Sequence, residues 1–426
     1  QGGAGDEITL RANRQAWQDL PLWPRSLRPL AGSHTRIELL GRTWPSPLLV
    51  APMAHQMLAH PQGEQGTALA AAALGVGMVL GCQASQRLED VARPVATDTT
   101  RGPLWFQLYL QPRREDTLAL VRRAEAAGFE ALVLTVDAPV QGVRDRELQA
   151  GFRLPPGLTA VNLPPSAPES LDALLARAAT ADDIAWLRAL TRLPLLLKGV
   201  LHPADAADAV ALGIDGLIVS NHGGRTLDTA VSTARALPAV VEAVAGAVPV
   251  LVDGGIRRGT DVLKALALGA RAVLVGRPVL GGLAADGARG VAVVLRRLLD
   301  EFQAAQALSE AATQAPQHPG IALWLGHALE DAGEAESAAQ AYEHAYRLLP
   351  GEPMFAAHLL NWRRKLCDWR ELDALSAQVR RAVRAGNGVV EPFAFLSEDA
   401  SADEQLACAR QRAQALASVI RPLPPA

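Results

Sequence analysis

The stretch Val219-Ser220-Asn221-His222-Gly223-Gly224-Arg225 puts a histidine just after a branched apolar run and just before two glycines and an arginine. Histidine is the side chain whose ordinary pKa lets it take and release protons near neutrality, so this position is a candidate general base. Asp137 closes another apolar run. It could cap a helix, or its carboxylate could hold the histidine in one tautomer and stabilise the charged form. Lys198 follows one proline and three leucines at 194–197, so its ammonium must find a partner or lose its proton. A structural ion pair, a Schiff-base nucleophile and a partner for an anionic cofactor are all open to it. Two more run ends, Asp253-Gly254-Gly255 with Arg257 and Gly276-Arg277-Pro278, combine exposed backbone N–H groups with guanidinium charge. That is the composition of a phosphate site.

The elements that must position these residues show in the hydrophobic pattern. Eight short apolar runs recur, at 48–51, 76–80, 104–108, 131–136, 195–197, 217–219, 248–252 and 272–275. Most are followed by alanine- and leucine-rich stretches with helical periodicity, such as 116–127, 204–212 and 260–268. Alternation of strand and helix predicts a parallel sheet, and eight repeats predict closure into an α/β fold of the (β/α)8 TIM-barrel type. An open doubly wound sheet is the competing architecture. Barrel enzymes build their sites at the C-terminal ends of strands. Reading each run to its end collects Pro52-Met53, Gln107 and Tyr109, Thr135 and Asp137, Lys198, Ser220 and His222, Asp253, and Gly276-Arg277. The second run ends less informatively, in Gly81-Cys82-Gln83. Prolines at 155, 156, 164, 165 and 168 predict a long loop over 151–170, lying across the site.

With 426 residues, 49% hydrophobic and 20% charged, the chain suits a barrel plus a smaller domain and excludes wholesale disorder. A net charge of -3 without a basic block argues against nucleic acid as a partner. No uninterrupted apolar run reaches the roughly 18 residues of a membrane span. Three scattered cysteines, Cys82, Cys367 and Cys408, fit a reducing, cytoplasmic setting better than a disulfide framework or a zinc site. Gln1 is not an initiator methionine, so the N-terminus reads as cut.

The segment from Ser220 through Arg225 to Thr226-Leu227-Asp228 resembles the FMN-dependent 2-hydroxy-acid oxidase and dehydrogenase family, as do 253–258 and 264–270. Gln107-Leu108-Tyr109, Thr135-Val136-Asp137-Ala138-Pro139 and Leu197-Lys198-Gly199-Val200 agree, over about 6–309. That family includes glycolate oxidase, lactate oxidase, mandelate dehydrogenase and 4-hydroxymandelate oxidase. The resemblance implies that an (S)-2-hydroxy acid is oxidised to the 2-oxo acid, with oxygen, quinone or cytochrome as electron acceptor. It implies that Pro52, Met53 and Ala54, with Gln107, Thr135 and Ser220, hold the flavin ring, and that Lys198 lies at the ring's N1–O2 edge. Asp253, Gly254, Gly255, Arg257, Gly276 and Arg277 would hold ribityl and phosphate. Arg144 and Arg225 would clamp the substrate carboxylate, Tyr109 would bond the substrate oxygen, and His222 would take the proton with Asp137 behind it. A homo-oligomer is expected. A lysine-dependent aldolase would also use Lys198 but needs neither the His222–Arg225 set nor two phosphate turns. An inactive barrel serving protein binding is a further alternative, against which the retained histidine, Asp137 and both arginines argue.

This sequence departs from the family at three places. Gly81 stands where a serine usually faces the flavin, and Gln83 where plant-type members carry tryptophan, which is more like bacterial aryl- or lactate-type members. The family's N-terminal substrate tyrosine would fall just before Gln1, since the tyrosines present are 109, 342 and 346. Beyond Ser309 the resemblance stops. The expected order is a barrel over 1–309, a linker over 310–318 and a helical domain over 319–426. Leu325-Gly326, Gly333, Ala338, Tyr342, Ala345 and Pro350 fall at the offsets of a tetratricopeptide repeat. Further on, 367–369, 391–393 and 405–407 are similar to the helical region preceding the catalytic part of SPINDLY-like N-acetylglucosaminyltransferases. A protein partner for this tail is implied.

Overall fold

In a closed parallel barrel one face of each strand fills the interior and the other lies under helices, so the strands are continuous apolar runs. The computed structural model shows this arrangement. Strands β1 Leu48–Val50, β2 Gly77–Gly81, β3 Leu104–Leu108, β4 Leu132–Thr135, β5 Leu195–Val200, β6 Gly216–Val219, β7 Val250–Val252 and β8 Ala272–Val275 pair in sequence order. The seam is made by β8 on β1, with Val273 beside Leu48 and Val275 beside Val50, all parallel. Closure rules out the open sheet. The structure describes residues 2–22, 34–140, 142–165, 170–175 and 178–309, and then 323, 326, 327, 330, 335–386 and 390–419.

Leu49, Val79, Trp105, Val133, Leu196, Ile218, Leu251 and Leu274 join one buried cluster. Strand side chains alternate with period two, so the next residue on each of these rows is Ala51, Gly81, Gln107, Thr135, Lys198, Ser220, Asp253 and Gly276. Runs far apart in sequence thereby deliver their terminal polar groups to one ring. The opposite end is sealed by an antiparallel hairpin, Ile37–Leu39 with Arg42–Trp44. Trp44 meets Trp105 edge to face, with ring centroids 5.3 Å apart.

The outer helices include Arg114–Ala126, Pro203–Ala211 and Gly259–Ala267, within two residues of the stretches their periodicity marked. Helix Arg277–Ser309 is long and apolar enough over Arg277–Gln306 to cross a membrane by length and composition. Its backbone, however, leaves helical geometry at Asp286 and Gly287. Val279, Leu283, Val291, Leu295, Leu298 and Phe302 are also buried within the barrel unit, which marks it as a packed outer helix. Between β4 and β5 the described part of 151–165 contains turns and neither helix nor strand, as its prolines predict.

The chain divides into two compact units, residues 1–314 and 315–426. The linker expected at 310–318 lies outside the described residues. In the second unit helices Ala335–Leu348, Pro353–Lys365, Leu372–Ala385 and Ala402–Val419 follow one another. Ala338, Tyr342 and Ala345 are fully buried in one cluster. A Cβ on Gly326 would fall 2.5 Å from the Tyr342 ring, so only glycine fits there. Leu325 and Gly333 lie outside the described residues.

Candidate active site

The carboxyl rim of the barrel surrounds a cavity of about 1600 Å³. His222 stands on its wall in a left-handed conformation, φ 56°, which a side chain rarely adopts, and Gly223 and Gly224 continue the turn with positive φ of their own. Its backbone N–H donates to Ser220 Oγ at 3.1 Å. Its Nδ1 lies 3.1 Å from Asp137 Oδ1. Burial alone would raise the Asp137 carboxyl, but the hydrogen bond with His222 and the charge of Lys198 hold it below its ordinary range. Asp137 can sit there because Gly199, at φ 111°, has no Cβ; one would fall 2.4 Å from the Asp137 Cβ.

Lys198 is buried, with Nζ 2.8 Å from Ser220 Oγ and 3.1 Å from Asp253 Oδ2. Burial would depress it, yet the charges of Asp253 and Asp137 outweigh burial and hold it above its ordinary value. Lys198 is therefore a fixed cation. A Schiff-base nucleophile needs the neutral amine, so this environment opposes the aldolase alternative. Ser220 is fully buried behind Lys198 and His222, with its hydroxyl engaged by both. Cys82 is also fully buried, and its thiol is pushed up to about 12, which leaves it unreactive.

Arg144, Arg225 and Tyr109 line the same cavity. Burial, with the charge of Asp137, raises the Tyr109 phenol, so it stays a hydrogen-bond donor. Both arginines meet Glu147, a residue whose role was not visible in the sequence. Arg257 and Arg277 stand on the wall with Gly254, Gly255 and Gly276. Burial first, then the charges of Arg225 and Arg257, brings Arg277 down to about 10. Burial, then the charge of Arg14, lowers Arg257 as well. Cations crowded together in partial burial are complementary to an anion such as phosphate.

The residues present fit FMN. Gln107 Nε2 and Asp253 Oδ1 are buried without a hydrogen-bond partner among the described residues, and both residues line the cavity. Buried polar atoms of that kind call for a polar ligand. Pro52, Met53, Ala54 and Thr135 complete the wall where a flavin ring would lie. All the residues that the sequence pointed to face this one cavity, except Asp137 and Ser220, which stand directly behind His222 and Lys198.

The sequence also concealed the strut behind the site. Helix Ile8–Asp19 brings Asn13 to Asn221, and their side-chain amides bond reciprocally at 2.7 and 2.8 Å, buried. Asn221 Oδ1 also accepts from Gly224 N–H, which fixes the turn that carries His222. Asn13 is packed so tightly that a Cβ on Gly255 would fall 2.2 Å from its carbonyl oxygen. Trp17 Nε1 donates to Gly254 O at 2.8 Å. Partners 208 residues apart leave no local signature.

Residues 1–315 match the family model described as FMN-dependent dehydrogenase. The chain belongs to the FMN-dependent dehydrogenase family. It is 51% identical over 332 residues to an L-lactate oxidase of Roseobacter sp. (strain GAI101), covering 75% of this chain and 88% of that protein. It is 46% identical over 319 residues to glycolate oxidase 1 of Zea mays, covering 72% and 85%. A solved mandelate oxidase with (S)-2-phenylpropionate superposes with a TM-score of 0.67 at 45% identity, covering 73% of this chain and 90% of that one. Another solved mandelate oxidase carries a C4a-OH-FMN adduct. The family match runs slightly beyond the 6–309 expected from motifs.

Proposed function

We propose that this chain oxidises small (S)-2-hydroxy acids of the lactate, glycolate or mandelate type to 2-oxo acids, with oxygen as the final electron acceptor. The observation that carries this reading is the pairing, on one cavity wall, of a carboxylate-held histidine with two arginines. Bound FMN would supply the two-electron acceptor. Arg144 and Arg225 hold the substrate carboxylate through planar donors. The Asp137 carboxylate accepts from His222 Nδ1–H, which leaves Nε2 free to take one proton from the hydroxy acid, whose electron pair and second hydrogen would pass to FMN. Tyr109 donates to the oxygen that becomes the 2-oxo group. With FMN bound, the Lys198 cation would offset negative charge on the ring, with Gln107 and Thr135 beside it and Ser220 holding Lys198 from behind. Arg257 and Arg277, with the backbone of Gly254, Gly255 and Gly276, would take the phosphate, and Asp253 would take the ribityl hydroxyls. Oxygen is favoured because the relatives are named oxidases. Hydrogen peroxide released in step with 2-oxo acid tests this. Turnover that needs an added quinone or cytochrome would reassign the acceptor, and no turnover with any 2-hydroxy acid would end the reading.

The same reading gives the helical unit a protein-binding role and expects the barrel to self-associate. The tail's likeness to tetratricopeptide repeats and to SPINDLY-like proteins rests on its own residues, since the family match ends at 315.

A further inference from the structure

The two arginines assigned to the substrate stand on different segments. Arg144 precedes the short helix Asp145–Gln149 in the connection after β4, and Arg225 lies in the turn after β6. Like charges brought together need something between them. Glu147 supplies it. Its Oε2 accepts from Arg144 Nη1 at 3.1 Å, and its Oε1 from both Nη atoms of Arg225 at 3.4 Å. The segments also touch directly, because a Cβ on Gly142 would fall 2.3 Å from the Thr226 carbonyl oxygen. Arg225 is tied once more, to the Gly2 carbonyl at 2.7 Å.

Two arrangements are conceivable for a carboxylate placed there. It could occupy the substrate's position and have to leave, or it could stay as the counter-ion that aims both guanidiniums. The donor count decides. Arg144 Nε is buried without a partner among the described residues while Glu147 is in place. That atom is covered, but Glu147 engages Arg144 through Nη1 alone and Arg144 lines the cavity, so guanidinium donors remain for an incoming carboxylate and Glu147 need not move. Burial would raise the Glu147 carboxyl, but the Arg144 hydrogen bond and the Arg225 charge overcome it and hold it below its ordinary range.

We propose that Glu147 is a positioning residue, a resident counter-ion whose charge bridges the two substrate arginines and holds them aimed into the cavity. This rests on the 2-hydroxy-acid reading of the site. The arginines share their positive charge between an inner carboxylate that stays and an outer one that comes and goes. Removing the inner charge lets the guanidiniums separate, and substrate binding weakens although the His222–Asp137 pair is untouched.

The test uses purified FMN-loaded protein and pyruvate, a non-reacting 2-oxo acid, with binding read from perturbation of the flavin spectrum. E147Q keeps the shape and loses the charge. Its pyruvate Kd should rise about tenfold, the weight of one charge-assisted hydrogen bond. The KM for the hydroxy acid should rise with it and by more than kcat falls. E147D, which keeps the charge on a shorter stem, should recover part of the loss. An unchanged Kd in E147Q would overturn the proposal, and a tighter Kd would show that Glu147 competes with substrate instead. Because E147Q is isosteric, loss of flavin from it would contradict a role confined to the arginines. If the wild-type flavin responds to pyruvate but no 2-hydroxy acid bleaches it, the functional reading fails while the Glu147 bridge can still be scored.

Discussion

At the amino end of the barrel the inward rows begin in Leu49, Val79 and Trp105, packed with Trp44 and Leu39, and each of these five is at most 4% exposed. At the carboxyl end the inward rows of the barrel finish in residues such as Gln107, Lys198 and Asp253, among charges held by opposing charges and buried atoms without partners among the described residues. The strands are shared, so the contrast lies in the side chains and in the glycine-rich turns at the rim. The lower end satisfies itself and contributes stability, while the upper end satisfies itself only with something bound. Substitutions at the two ends should therefore separate folding from chemistry.

The largest effect is expected at the upper end. His222→Ala should keep its flavin and its melting temperature and lose roughly two to four decades of turnover, the usual weight of a general base. Substrate reduction of the flavin at near wild-type rate would remove His222 from that role. At the lower end, Trp105→Ala should cost about 3–5 kcal/mol of stability in denaturant titration, through the cavity left under Trp44. Turnover per folded, flavin-loaded molecule should stay within a few-fold. A loss of turnover as large as that of His222→Ala would mean that the ends are not separable. The smallest effect is expected from removing residues from 316 onward, because the family match covers 1–315 and residues 1–314 form a compact unit of their own. Flavin content and substrate profile should not change. Loss of flavin on truncation would show that the two units form one cooperative structure.

The eight strands were legible because each is a buried branched run that ends at a polar residue, a glycine or, in the first, a proline, a contrast that survives without any knowledge of partners. The rim residues were legible for the same reason, since a charge such as Lys198 after three leucines is a local anomaly. Glu147 was not, because it sits in an ordinary charged stretch, Arg144-Asp145-Arg146-Glu147, and acquires meaning only through Arg225, 78 residues away. The Asn13–Asn221 strut was hidden by an even longer separation. The hairpin Ile37–Leu39 with Arg42–Trp44 is too short for a periodic signal, and the break at Asp286 and Gly287 spans only two residues inside a helical pattern. Ser220 was legible as a strand-end residue, but the sequence did not show that its hydroxyl accepts from both Lys198 Nζ and the backbone N–H of His222.

The central claim is that the carboxyl rim is a flavin site which a 2-hydroxy acid reduces. The most direct measurement is anaerobic: purified yellow protein is mixed with (S)-lactate, glycolate or (S)-mandelate and the flavin absorbance is followed in stopped flow. Bleaching by at least one of them in a single saturable phase, with the (R) enantiomer of a chiral acid inert, is the expected result. A protein that takes up no FMN, or whose flavin no 2-hydroxy acid bleaches, would contradict the account.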